Sequence, residues 1–447
     1  MKFFSLFGAT TTLTADITTQ DGAVTINDAV ILAADIIIDT TNSGAGTGAN
    51  ITIATGSGGG GGTIETDGTP WTLEFIAGST GDLSITGAVG ATNEVDKFLI
   101  TSAGNVYLNS VRTGDSGAAG QDTIDITASG TILLNGDLRT DADTGTNDSG
   151  NVVINGDVVL GANISVLTTG TSSDGDVSFS NSIDADDDTT ADRTLTVNAD
   201  TGTATFGGNI GALAGGALAD LDVTAGTINL NGGTIKVDDD DAAQATVTFT
   251  GPVVLGANTT IDTDKATGTD SNVNFTTLID SDDQVTFDRT LTISAGTGTV
   301  TLGGNIGDTG DLAGLNITAG TININGSNYD LDDGAGGSPR VFDGAVVLGN
   351  NVNIDANDIN DNNINFTSTI NADDATTNDR TLTLDSGTAT ITVSGNIGNT
   401  QALAGLILTQ SGGADFQGIT TVTDGTGVVT LTDSDNTISF SGCDLGA

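Results

Sequence analysis

At 447 residues the chain is long enough for several globular domains, yet aromatics make up only 4% with a single Trp, which argues against one thick core. Fifty-eight acidic residues against ten basic ones give a net charge of −48, which repels nucleic acid and anionic membrane surfaces and calls for cations around the fold. One cysteine, Cys443, and no histidine exclude a disulfide framework, a Cys/His zinc site and Ser-His or Cys-His catalysis.

Residues 1–20 form a lead-in. Met1-Lys2 followed by FFSLFGA has the flavour of a short export signal, but its apolar run is brief and no small-x-small cleavage site is clear. The preferred reading is a cap or assembly strand in which Phe3, Phe4 and Phe7 cover an open core end. No apolar run anywhere reaches the length of a membrane-spanning helix.

From about residue 21 onward short runs alternate apolar residues with Thr or Asn: Val247 and Phe249, Val273 and Phe275, Leu291 and Ile293, Val300 and Leu302. Period two means strand, and Val, Ile and Thr between Gly, Asn and Asp turns favour strand over helix throughout. The runs recur. VVLGAN stands at Val158–Asn163 and Val253–Asn258, and VVLGNN at Val346–Asn351, setting a period of 95 and then 93 residues. Asp-Arg followed by Thr-Leu-Thr recurs at Arg193, Arg289 and Arg380, and GNIG at Gly208, Gly304 and Gly395. A worn first copy lies upstream, with Trp71-Thr72-Leu73 standing for Arg-Thr-Leu. The copies occupy about 21–120, 150–245, 245–340 and 340–430, with extra coils over 121–150 and a glycine run, Gly58–Gly62, reading as an excursion from the first. Self-similarity at fixed period is the mark of a repeat architecture.

These patterns predict an all-β chain: one continuous parallel β-solenoid of about four repeats of roughly 93 residues. With about 18–25 residues per coil, the solenoid would have about 20 coils. A stacked aliphatic core of this kind escapes the size limit of a globular one, because each coil needs only its neighbours.

The acidity is almost all Asp, since Glu65, Glu74 and Glu94 are the only glutamates. It gathers in the turn ahead of each arginine: Asp184, Asp186, Asp187 and Asp188, then Asp280, Asp282 and Asp283, then Asp373 and Asp374. Clustered carboxylates are what a hard cation such as Ca²⁺ requires, although the spacing is neither an EF-hand nor a calcium-binding nonapeptide. The alternative is a solvated acidic turn with loosely held counterions. A second run, Asp238–Asp241, echoed by Asp330, Asp332 and Asp333, invites the same two readings. Arg193, Arg289 and Arg380 form either a row for ligand binding or local partners of the acidic turns, and Trp71 at the matching place shows that the charge is dispensable.

The phrase order, VVLGAN, NVNFTT, DRTLT, TVTLGGNIG, LAGLNITAGTINING, resembles the β-strand repeats of giant bacterial surface and secreted adhesins of the filamentous-haemagglutinin and autotransporter kind, over about residues 22–430. The resemblance implies a right-handed parallel β-helix, export to the cell surface or beyond, and a role in adhesion or matrix. It carries over no functional residue. The expected function is therefore a non-enzymatic extracellular fibre, sheath or adhesin subunit that assembles head to tail with its own kind, its acidic turns neutralised by cations, Ca²⁺ among them. A surface module binding glycans or a host surface is the alternative. An enzyme on the polysaccharide-lyase or tailspike pattern is a third, because two carboxylates are the minimum for glycoside cleavage.

Overall fold

The computed structural model describes residues 4–6, 10–54, 62–114, 121–140, 148–187, 193–237, 246–265, 270–283, 289–331, 340–357, 361–374, 380–422, 428–431 and 438–440. Among them lie 43 strands and no helix. The ladders joining the strands are parallel, and the one antiparallel pairing among these residues is an isolated bridge, Gln20–Thr41. The chain is thus an all-β parallel β-solenoid. It divides into two compact units, Met1–Thr227 and Ile228–Ala447.

In the first unit three columns of apolar side chains run up the stack, one per face. One carries Val24, Ile51, Leu83, Val106, Ile132 and Val158 in register. The next carries Val30, Ile64, Val89, Val111, Leu138, Val166, Val197 and Val223. The third carries Ile38, Phe75, Ile100, Ile126, Ile154, Phe179 and Phe206. All of these side chains are buried. The alternation predicted from sequence is therefore literal: every second residue enters the core, and each contributes roughly 1.5–3 kcal/mol relative to exposure.

The second unit repeats the arrangement. Its face A stacks Val247, Val273, Val300, Ile322, Val346, Ile370 and Ile397. Face B stacks Val253, Ile279, Ile306, Tyr329, Ile354, Leu384 and Leu408. Face C stacks Ile261, Ile293, Ile317, Phe342, Phe366, Val393 and Phe416. Phe342 and Phe366 stack with ring centroids 4.8 Å apart and planes 13° from parallel.

The expected coil number needs correction. Successive face-A partners in the second unit are 22 to 27 residues apart. One turn of the first unit, from Ile51 to Leu83, takes 32. Turns this long leave fewer than the 20 coils expected, because three strands and three corners must fit in every turn and the corners are longer than minimal turns. The 93-residue repeat does not close on whole turns, a further finding of the structure. From Val253 the column on face B climbs through Ile279, Ile306 and Tyr329 to Ile354. The equivalent phrase at Val346 stands instead on face A. Like phrases in the third and fourth copies therefore occupy different faces.

The last glycine of each GNIG turn is fixed by geometry. Gly211, Gly307 and Gly398, with Gly90 in the worn copy, have φ of +66°, +79°, +66° and +69°. A Cβ on Gly307 would lie 2.3 Å from the Asp330 carbonyl oxygen one turn on, and one on Gly398 2.1 Å from that of Thr421. The Asn at the end of each VVLGAN-type phrase is likewise structural: Asn163, Asn258 and Asn351 accept the backbone N–H of Thr194, Thr290 and Thr381. In the first copy Asp35 does the same for Thr72, at 2.9 Å.

Phe3, Phe7, Gly58–Gly61 and Cys443 lie outside the described residues. Truncating Phe366 to Ala should cost about 3–5 kcal/mol by lost transfer energy and cavity formation. Asn365→Ala on the outward side of the same strand should stay within about 0.5 kcal/mol. Denaturant titration of the two variants, with hydrogen exchange along face C, checks the contrast; equal effects would deny that this column is the core.

Candidate functional site

The acidic corners resolve into two jobs. In each copy the residue after the buried Ile of the corner reaches up to the backbone of the following turn. Asp184 Oδ1 accepts the N–H of Leu213 at 3.0 Å. Asp280 accepts the N–H of Thr309 at 3.2 Å and its hydroxyl at 2.7 Å. In the fourth copy Asn371 accepts from Thr400 and Gln401 at 3.0 and 3.2 Å. In the first copy Glu65 accepts from Thr92 and Asn93 at 3.0 and 2.7 Å. A neutral amide performs the task in one copy, so the requirement is an acceptor and not a charge.

Two residues later a second carboxylate holds the cation. Arg193 grips Asp186 with Nε–Oδ1 at 2.6 Å and Nη2–Oδ2 at 3.1 Å. Arg289 grips Asp282 at 2.7 and 3.0 Å, and Arg380 grips Asp373 at 2.7 and 2.8 Å. These are side-on forks, the geometry in which guanidinium and carboxylate match best. In the first copy the indole N–H of Trp71 donates to Asp67 at 3.0 Å, so a neutral donor replaces the guanidinium at the same place.

The arginines do not form a row. Arg289 precedes Leu291, which packs on face C against Leu315, whereas Arg380 precedes Leu382, which packs on face B against Leu406. The reading of these arginines as local partners of the acidic turns is the one that the geometry bears out.

Of the carboxylates expected to hold a metal, Asp184 and Asp280 hold loops, and Asp186, Asp282 and Asp373 hold arginines. Asp187, Asp283 and Asp374 add their field to the neighbouring guanidinium. Asp188, Asp238–Asp241, Asp332 and Asp333 lie outside the described residues, as do Asp192, Asp288 and Asp379. Among the described residues no group of three or more Asp, Glu or Cys side chains converges as a metal centre would require.

A third recurring acid escaped the sequence reading. Asp174, Asp270 and Asp361 each take both the N–H and the hydroxyl of a threonine 27 residues on, Thr201, Thr297 and Thr388. The signal was present, since each stands three residues before the first apolar residue of the NVNF-type phrase at Val177, Val273 and Ile364. Also unforeseen was Arg340, fully buried on face C between Leu315 and Ile364, in the inward column beside that of Phe342, with its Nη2 donating to the Leu331 carbonyl.

Comparison with protein-family models, curated proteins and solved structures returned no match.

Hydrogen bonding and burial move the acids in opposite directions. The Thr297 hydroxyl and N–H hold Asp270 below the ordinary carboxylate value of 3.8. Arg380 does the same for Asp373. Burial pushes Asp184 above it. The stability that Asp270 contributes is therefore full above about pH 3.8 and is lost as pH falls through its folded-state value. That of Asp184 is full below the ordinary value and is lost as pH rises through its raised one. In thermal melts from pH 2.5 to 6, the deficit of an Asp270→Asn variant relative to the parent should shrink toward low pH, and Asp184→Asn should gain on the parent as pH rises. Parallel curves would contradict both assignments.

Asp280→Asn should be nearly neutral, as Asn371 already shows, whereas Asp280→Ala should cost about 1–3 kcal/mol by stranding the Thr309 N–H. Protection of the Thr309 amide against hydrogen exchange reads this directly.

Proposed function

We propose that this chain is a structural, non-enzymatic β-solenoid that serves outside the cell as a subunit of a fibre, sheath or adhesive stalk. The observation that carries the reading is the use made of the repeated acids: in every copy they hold one turn to the next or hold an arginine, and the same duties recur where a catalytic centre would be singular. The resemblance of the phrases to bacterial adhesin repeats points the same way.

In this reading identical chains associate head to tail; support comes from the general tendency of a parallel turn's ladder of N–H and C=O groups to accept a further strand. Cations, Ca²⁺ included, gather around the surface and relieve the repulsion among 58 acidic side chains. They act as a diffuse atmosphere, since the forks and loop bonds already engage the corner carboxylates.

Negative-stain microscopy of purified protein with and without calcium tests the assembly: filaments that lengthen with protein concentration are the expected result. Dispersed particles under every condition would overturn it. Thermal melts add a second check. Raising NaCl from about 10 to 150 mM, which shortens the screening length from about 30 to 8 Å, should raise Tm, and CaCl₂ should act smoothly without saturating. A saturating response to micromolar calcium would instead reveal a defined site.

A further inference from the structure

The first copy departs from its siblings at one corner. Its turn from Asp67 to Trp71 spans four positions, against seven from Asp186 to Arg193. It concentrates residue types that the rest of the chain hardly uses: the only Trp, one of three prolines, and two of three glutamates. A cavity of about 500 Å³ opens there, lined by Thr66, Gly68, Pro70, Asn93, Glu94 and Arg112 with Ala91 and Thr92 beside them. That volume falls within the range of about 300–1,000 Å³ typical of small-ligand sites.

Its walls are held from behind. Glu65 pins Thr92 and Asn93 through their N–H groups, and the Thr66 hydroxyl donates to the Glu94 carbonyl at 3.2 Å. Asp67 accepts the Thr69 N–H and the Trp71 indole N–H, both at 3.0 Å, which fixes the short turn. Arg112 Nε and Glu94 Oε1 stand 2.9 Å apart and are both partly shielded from solvent. This ion pair is part of the lining, with Arg112 Nε and Nη2 shielded from solvent. Hydroxyl and amide side chains line its sides, and Pro70, Ala91 and Gly68 offer apolar or bare surface at its rim.

We propose that this cavity binds a neutral saccharide. The chemistry selects that class by elimination. A carboxylate in the lining and a net charge of −48 disfavour an anion, and the guanidinium disfavours a cation. A purely apolar ligand would leave the polar lining unmatched. A sugar ring carries hydroxyls that both donate and accept, which Glu94, Asn93 and Thr92 can address together while Arg112 holds Glu94 in place. Its C–H face suits Pro70 and Ala91. The proposal stands apart from assembly: a solenoid could bind sugar at this corner whether or not it forms fibres.

The test uses the full chain, kept unassembled as judged by light scattering, with saturation-transfer NMR and calorimetry against uncharged glucose, galactose, mannose and N-acetylglucosamine and their short oligomers. At least one should bind. Glu94→Gln and Arg112→Ala should each weaken it by about tenfold or more, the scale of one lost charge-assisted hydrogen bond. Ala91→Tyr, at an exposed rim position, should abolish binding with an unchanged circular-dichroism spectrum, and Glu74→Gln, outside the lining, should leave it intact. Should Glu94→Gln fail to fold, Ala91→Tyr still decides the matter. No neutral sugar bound, tighter binding of a sialic or uronic acid, or binding indifferent to Ala91→Tyr would each overturn the assignment.

Discussion

Parallel stacking in register is the constraint from which everything else in this molecule follows. Each turn lies about 4.8 Å above the last, with the backbone N–H and C=O groups of paired strands bonded to the neighbouring turns. A side chain therefore sits directly on the side chain of the neighbouring turn. Inward positions must be aliphatic or aromatic for several turns together, and long runs of Val, Ile, Leu and Phe on each face meet that demand, interrupted by residues such as Tyr329 and Arg340. At outward positions, like charges that share a register are brought to one strand spacing. At one strand spacing two bare carboxylates would repel by about 1 kcal/mol even in bulk water and more near a protein surface. The corner acceptors avoid that contact, with Asp184 on Val159, Asp280 on Val254 and Asn371 on Val347, whereas Asp330, Asp355 and Asp385 share one register and Arg112 stands on Arg139.

The mismatch between repeat and turn adds to this. Because like phrases in the third and fourth copies land on different faces, their acidic corners are spread around the second unit and do not pile up along one edge. A chain with so lopsided a charge gains from that distribution, since repulsion falls with separation and is screened over about 8–10 Å at ordinary salt. The preference for Asp over Glu belongs to the same logic. A short side chain can reach the backbone N–H of the adjacent turn with little rotamer freedom to lose, so the acid acts as a bracket between turns as much as a surface charge.

How much of this could be read from residues alone depends on the range of the interaction. Period-two alternation is local, and it gave the strands and the inward set: Val247 and Phe249 are buried as their spacing says, with Thr248 between them turned outward. The Arg193, Arg289 and Arg380 pairings were legible because partner and acid lie only seven residues apart. The turn length was not, because it depends on how much chain each corner consumes, and corners carry no periodic signal. That error hid the facial shift between the third and fourth copies and made a row of arginines look available. The loop-holding roles of Asp184 and Asp280 were hidden for a related reason: their partners are 29 residues away, and only the register reveals that distance as a contact. Arg340 shows the limit most plainly. A lone arginine after a glycine-rich stretch reads as surface, and its burial in a column of Leu315 and Ile364 is a tertiary fact.

Repetition also explains where a specialised site can arise. A residue with the same duty in every copy is tied to that duty, because altering it unpairs a loop or a guanidinium at a stacked corner. The worn copy is released from the pattern without losing the fold, since Trp71 satisfies Asp67 by a different donor and Glu65 reaches farther to do the work of Asp184. Once these substitutions hold the corner, the turn can shorten, and the surface above Thr66 and Glu94 need not be filled by chain. The scaffold thus tolerates a cavity at the one corner whose supports were rebuilt, and the residues gathered there, scarce elsewhere in the sequence, are those that add recognition chemistry to a surface otherwise made of Thr, Asn and Asp.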